Sequence, residues 1–260
     1  MLSDADRKKA ADILMEAEKT HKQAVQLSTT WPNITLEDSY AISTEVAKRK
    51  IAAGAKLIGH KVGLTSKAMQ RSSNIDEPDY GYLFDYMMIP DGSKIAHATY
   101  CRPRVEIELA FILGKQLKGP GIGLPEVLRA TEYVVPAIEI VDARVQDQRK
   151  IFDTVADNGA AAGIVIGGRP VGPLDVDLRW VGGIMYRNSE IEETGVAAGV
   201  LGHPALGVAW LANKLGQHGT PLEPGHIVLA GSFTRVVFAK KGDTLHGDFG
   251  ALGGISVQFV

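Results

Sequence analysis

At 260 residues the chain is long enough for one large domain or two small ones around a sizeable core. Charged residues make up 22% and hydrophobic residues 45%, which excludes a disordered chain, and a formal net charge of −2 gives no general attraction to nucleic acid or to an anionic membrane. One cysteine, Cys101, excludes an internal disulfide and a cysteine-based zinc site.

Residues 3–27 read as a helix, with Ser3 as N-cap, Asp4 and Asp6 in the first turn and Ile13, Leu14, Ala17 and Ala24 at apolar spacing. A turn follows at Trp31-Pro32-Asn33. Thr35 then opens a second helix with a Thr-x-x-Asp start, which runs to about Ala53 and stops at Gly54. Residues 1–56 are therefore expected to form a helical hairpin and 57–260 a catalytic, β-rich domain. Strand-like runs are predicted at 57–63, 105–113, 133–141, 163–167, 181–186, 227–230, 235–238 and 255–260, with helices at 124–131 and 204–216. The fold class is α+β. No run reaches the roughly 18 apolar residues of a spanning helix, and the start of the chain leads into a charged helix rather than an apolar leader. Together with the lone cysteine, this makes a cytoplasmic protein the expectation.

In the strand Val105-Glu106-Ile107-Glu108-Leu109, the two glutamates project to one face, and Val105, Ile107 and Leu109 project to the other, toward a core. Adjacent carboxylates repel, so such a pair is either the solvated face of an edge strand or the shell of a hard divalent cation. A third acid, Glu139, sits between Ile138 and Ile140 in a second apolar strand, which favours a shared site, and Asp142 ends that strand. Lys61 lies in the Gly-flanked strand Gly59-His60-Lys61-Val62-Gly63, either at the surface or facing an anion, while His60 points the other way as a packed histidine. Pattern alone reads Glu77-Pro78-Asp79-Tyr80-Gly81 and Asp157-Asn158-Gly159 as turns. Gly231-Ser232-Phe233-Thr234-Arg235 sets hydroxyls and a guanidinium where they can hold a carboxylate. Phosphate-cradling, nucleophile-elbow, zincin and dinucleotide motifs do not occur.

Several stretches together resemble the fumarylacetoacetate hydrolase superfamily, in its hydratase/decarboxylase branch from meta-cleavage catabolism of aromatics. They are Gly59-His60-Lys61-Val62-Gly63-Leu64-Thr65-Ser66, the Glu106-x-Glu108 strand, Pro136-Ala137-Ile138-Glu139-Ile140-Val141-Asp142, Asp153-Thr154-Val155-Ala156-Asp157-Asn158, Leu201-Gly202-His203-Pro204 and Gly231-Ser232-Phe233-Thr234-Arg235. The resemblance spans nearly the whole chain. It implies a mixed β-roll, barrel-like core and a Mg²⁺ or Mn²⁺ ion held by Glu106, Glu108 and Glu139. It further implies a 2-oxo acid substrate, catalytic Lys61 and Asp79, and substrate contacts from Leu64, Ser232 and Arg235.

The implied activity is hydration of a 2-hydroxy-2,4-dienoate, such as the enol of 2-oxo-hept-4-ene-1,7-dioate, to a 4-hydroxy-2-oxo acid. The alternatives are decarboxylation of a 4-oxalocrotonate and hydration of 2-hydroxypenta-2,4-dienoate. Pro78-Asp79-Tyr80-Gly81 and Gly231-Ser232 are hydratase-like, whereas sister decarboxylases are apolar at the position of Asp79. Arg144 and Arg235 are the candidates for a distal carboxylate, and Asp142 to Lys150, shorter than in relatives, is a candidate pocket lining. The resemblance also implies a homo-oligomer, pentameric or decameric, and a complex with a partner decarboxylase.

Overall fold

The computed structural model describes residues 1–72 and 75–260. Helix α1 (Asp4–Thr20) begins at Ser3, whose hydroxyl accepts from the Asp6 amide. It ends seven residues before the sequence expectation, because His21 takes a left-handed conformation (φ 55°) that turns the chain away. Ala24 then bridges to Val145, and a short helix α2 (Leu27–Thr30) precedes α3 (Leu36–Ala52). The expected cap on α3 is formed: Thr35 accepts from the Asp38 amide, and Asp38 accepts in return from Thr35 N. The apolar faces of α1 and α3 pack Ala10, Leu14, Ile42 and Val46 together with Val145 and Ala156, so this core is completed by residues from the β-rich part of the chain.

Among the described residues twelve strands follow, in two sheets. The larger contains β1 (Leu57–Gly63), β2 (Asp79–Phe84), β4 (Pro103–Leu113), β5 (Thr131–Asp142), β6 (Ala161–Ile166), β9 (Ile227–Leu229) and β10 (Val237–Phe238). Its order is β2-β1-β9-β4-β5-β6, with β10 also on β4. The smaller contains β3 (Ser93–Ile95), β7 (Gly182–Arg187), β8 (Glu190–Val196), β11 (Thr244–Asp248) and β12 (Gly254–Phe259), in the order β3-β12-β11-β7-β8. Helices α4 (Lys67–Ser72), α5 (Leu124–Ala130), α6 (Ile151–Ala156) and α7 (Ala205–Gly216) lie in the connections.

The long central strand β4 organises the molecule. On one face Val105, Ile107, Leu109, Phe111 and Leu113 are fully buried against the smaller sheet and α7, as the alternation predicts. On the other face Ala110 and Ile112 join Val135, Ala137, Leu83 and Phe84 in a second apolar cluster. Toward the start of the strand the same face carries Arg104, Glu106 and Glu108 instead. The core thus changes from apolar to charged along a single strand face.

Candidate active site

Both β9 and β10 pair with the same flank of β4, at opposite ends. β9 takes Ala110 to Ile112, and β10 takes Arg104 and Val105. Between them the chain from Ala230 to Val236 leaves the sheet, which opens the flank at Glu106 to Glu108. The sequence reading of a strand from 235 is shortened to 237–238 for this reason. Across the other flank Glu106 pairs directly with Glu139. Ligand oxygens of Glu106, Glu108 and Glu139 lie within 4.8 Å of one another. Glu139 is 0% exposed and Glu108 1%. β4 is central rather than marginal, so the solvated-edge reading of the pair does not hold.

The neighbours hold these acids in place. Glu108 Oε2 accepts from the Gly231 amide at 2.8 Å, and Lys61 Nζ lies 3.4 Å from Glu139 Oε1. A side chain at Gly231 (φ +118°) would strike Thr65 at 2.3 Å, so the glycine permits that amide contact. Lys61 is 4% exposed, inside the sheet and not at its surface. Asp79, expected in a turn, instead begins β2 opposite Gly63 and is 3% exposed. A Cβ on Gly63 would lie 2.2 Å from Asp79 Oδ1 and 3.4 Å from Lys61 Nζ, so the missing side chain makes room for both groups. The stretch Asp157-Asn158-Gly159 is also more than a turn. Asn158 donates to Tyr82 O and accepts from Tyr82 N, while a Cβ at Gly159 would lie 3.2 Å from Lys61 Cε, so the glycine leaves room for the lysine stem.

The electrostatics follow from burial. Desolvation, together with the Glu139 and Glu106 charges, pushes Glu108 well above the usual carboxylate range. Desolvation also raises Glu139 to about 7 against the pull of Lys61, and it raises Glu106 and Asp79. Burial lowers Lys61, but Glu139, Asp79, Glu106 and Glu108 outweigh it and hold the ammonium above its ordinary range. Among the described residues neither carboxylate oxygen of Glu139 has a hydrogen-bond partner. Three clustered acids, one of them with both oxygens unpartnered, suit a hard dication. Such an ion and Lys61 together would balance the three negative charges.

Two cavities meet at the Glu106 side of this cluster, both bordered by Gly63, Leu64, Glu106 and Val236. One, of about 740 Å³, holds Lys61 and Asp79 and extends to Arg104 and the segment Asp147 to Lys150. The other, of about 950 Å³, runs past Ser232 to Glu192, Glu193 and Arg235. Leu64, with φ +54°, stands at the junction. Ser232 borders the second cavity, with its hydroxyl on the carbonyls of Thr234 and Ile107.

Neither expected distal arginine reaches the Lys61 cavity. Arg144 is buried in an ion pair with Asp157 and borders neither large cavity, while Arg235 is 84% exposed and bound to Glu193 at 2.9 Å. Arg104 and Arg149 border that cavity instead. Alternation along β4 was enough to find Arg104, two residues before Glu106 on its face. Arg149 lies in a loop whose course no local pattern specifies.

The chain belongs to the fumarylacetoacetate hydrolase family: the model for the fumarylacetoacetate (FAA) hydrolase C-terminal region matches residues 50–260. It is 55% identical over 257 residues to 2-oxo-hept-4-ene-1,7-dioate hydratase of Escherichia coli, covering 96% of each chain. Identity is 40% to 2-hydroxyhexa-2,4-dienoate hydratase of Comamonas testosteroni, over 95% of this chain and 94% of that one. Among solved structures, 4-oxalocrotonate decarboxylase from Pseudomonas putida G7, complexed with magnesium and adipate, superposes with a TM-score of 0.97 at 33% identity, over 100% of this chain and 99% of that one. The α+β fold expected from the sequence is that of these relatives. No helix among the described residues is long and apolar enough to cross a membrane.

Proposed function

We propose that the chain is a metal-dependent hydro-lyase that adds water to a 2-hydroxy-2,4-dienoate such as the enol of 2-oxo-hept-4-ene-1,7-dioate, giving a 4-hydroxy-2-oxo acid. The observation that carries this reading is the three-glutamate cluster, which reaches a cavity through Glu106, with buried Lys61 and Asp79 lining the same cavity. The 55% identity to a hydratase of that diacid supports the substrate, and the relative crystallised with magnesium and adipate supports a dicarboxylate in this cavity.

Glu106, Glu108 and Glu139 would hold Mg²⁺ or Mn²⁺. When bound, the ion supplies Lewis-acid stabilisation of the enolate charge of a chelated 2-oxo acid. Lys61, held protonated by its acidic neighbours, offsets the negative charge that the acid head brings. In the first stage the enol hydroxyl gives up its proton and C5 gains one, leaving a 2-oxo-3-enoate. In the second, the oxygen of water bonds to C4 and a proton is delivered to C3, so the net change is addition of one water. Asp79, kept in reach of Lys61 by Gly63 and raised by burial, is suited to accept and return these protons. Leu64 and Ser232 would border the bound acid.

A second reading, decarboxylation, is favoured by the close superposition with 4-oxalocrotonate decarboxylase. Offering the Mg²⁺-loaded protein a 2-hydroxydienoate and a 4-oxalocrotonate separates the two. Loss of diene absorbance without CO₂ supports hydration, and CO₂ release from the oxalocrotonate alone overturns it. The protein is further proposed to act in the cytoplasm as a homo-oligomer that can associate with a partner decarboxylase, which sedimentation of the mixed and separate proteins tests.

A further inference from the structure

The Lys61 cavity ends in positive charge that the residues around it do not neutralise. Arg104 shares its strand face with Glu106 and Glu108, and its guanidinium lies 5.6 Å from the centroid of the Phe238 ring. Among the described residues its Nε and Nη2 are buried without a hydrogen-bond partner. Arg149 and Lys150 border the same end of the cavity. Asp147 also borders the cavity, but Arg102 already pairs with it, leaving Arg149 a contact of 3.4 Å. Two guanidiniums with free donors beside a cavity are costly unless an anion meets them.

We propose that Arg104 and Arg149 form the recognition site for the second, distal carboxylate of a dicarboxylic 2-oxo acid and so determine the specificity of the enzyme. The assignment rests on the reading above, in which the 2-oxo acid head lies at the three glutamates.

The dimensions agree. Two residues along β4 separate Glu106 from Arg104, roughly 6.6 Å at the rise of a strand. From C2 to C7 of an extended heptenedioate there are five carbon–carbon bonds, each advancing about 1.3 Å. A monoacid of five carbons leaves the guanidiniums unmet.

Charge balance points the same way. The dication and Lys61 are committed to the glutamates and the acid head, so the distal carboxylate of a diacid requires further cations of its own. The second cavity cannot supply them, because Glu192 and Glu193 line it and Glu193 occupies Arg235. An anionic tail is therefore directed to the Arg104 end.

Calorimetric binding of 2-oxopimelate and 2-oxoheptanoate, equal in length and differing only in the distal carboxylate, tests the proposal on the Mg²⁺-loaded protein. The wild type is expected to prefer the diacid by about 100-fold, the sum of two charge-assisted contacts. Arg104→Gln and Arg149→Gln are each expected to cut that ratio about tenfold with little change in monoacid affinity. Arg104→Lys should fall between, since an ammonium keeps the charge but not the fork. If Arg104→Gln does not fold, Arg149→Gln in its loop still provides the test. Equal wild-type affinity for the two acids overturns the proposal, as does a parallel loss of both in the variants. Turnover is measured separately: diacid preference without hydration counts against the hydratase reading alone, and hydration without diacid preference counts against this site alone.

Discussion

Asp79 and Glu139 are both buried acids, and the proposed function gives them different work. Glu139 has no partner but Lys61 and the other carboxylates, so Glu139→Gln should lower Mg²⁺ affinity by more than about 100-fold, read by calorimetry, and take turnover with it. Asp79 lies by Lys61, outside the carboxylate cluster. Asp79→Asn should cut kcat by about 10²- to 10⁴-fold while Mg²⁺ affinity changes only a few-fold. Equal losses of both quantities would merge the two roles. His60 gives a separate prediction about pH. It is 1% exposed, packs among Tyr80, Tyr82 and His226, and burial, aided by the charge of His226, pulls it down to about 3. The unfolded chain binds a proton below about 6.5 that the native state refuses, so its contribution is complete above that pH and is lost as pH falls toward 3. Between pH 6 and 4 the urea-unfolding free energy of the wild type should therefore fall more steeply than that of His60→Phe, by up to about 1.4 kcal/mol per pH unit. Identical slopes would mean that the imidazole is protonated in the fold.

At the level of elements, the regular patterns were readable and the interruptions were not. The strand carrying Glu106 and Glu108 was legible because apolar and acidic residues alternate strictly, and the opening of α3 because Thr35 and Asp38 spell a cap. Thr35→Ala should cost about 1 kcal/mol in urea unfolding without changing substrate affinity. The early end of α1 depends on one left-handed residue, His21, which no periodicity announces. Asp79 looked like part of a turn because Glu77-Pro78-Asp79-Tyr80-Gly81 carries turn-forming residues; pairing with β1, a tertiary effect, makes it a strand. Strands β8 and β11 escaped notice because they are polar and glycine-containing segments, fixed by neighbours far away in sequence. The close approach of Gly63 to Asp79 is equally non-local. Gly63→Ala should displace that carboxylate and lower kcat at least about tenfold, with the three-glutamate cluster still binding Mg²⁺. Unchanged kcat would show that Asp79 has room to move without consequence.

For the whole molecule, the charged patch inside the large sheet is a thermodynamic burden that a bound cation relieves. Glu106 and Glu139 face each other directly across two paired strands, where like charges are unfavourable. Mg²⁺ should therefore stabilise the protein by mass action, by about 2.7 kcal/mol at a hundredfold excess over its Kd. The gain should be visible as a rise in Tm, reversed by chelator and absent in Glu139→Gln. A Tm indifferent to Mg²⁺ in the wild type would remove the metal assignment. The family resemblance is visible in the sequence because its motifs recur along nearly the whole chain, whereas the place of Arg149 at the cavity depends on how a loop closes over the sheet. Since Arg104, Glu106 and Glu108 occupy successive same-side positions of β4, that strand works as a ruler with fixed graduations. If Arg104 meets the distal carboxylate as proposed, the backbone repeat fixes one end of the substrate's span. Within this scaffold an enzyme for a longer or shorter diacid would have to move its strand-borne guanidinium by whole steps of two residues, and finer adjustment would fall to the loop that carries Arg149.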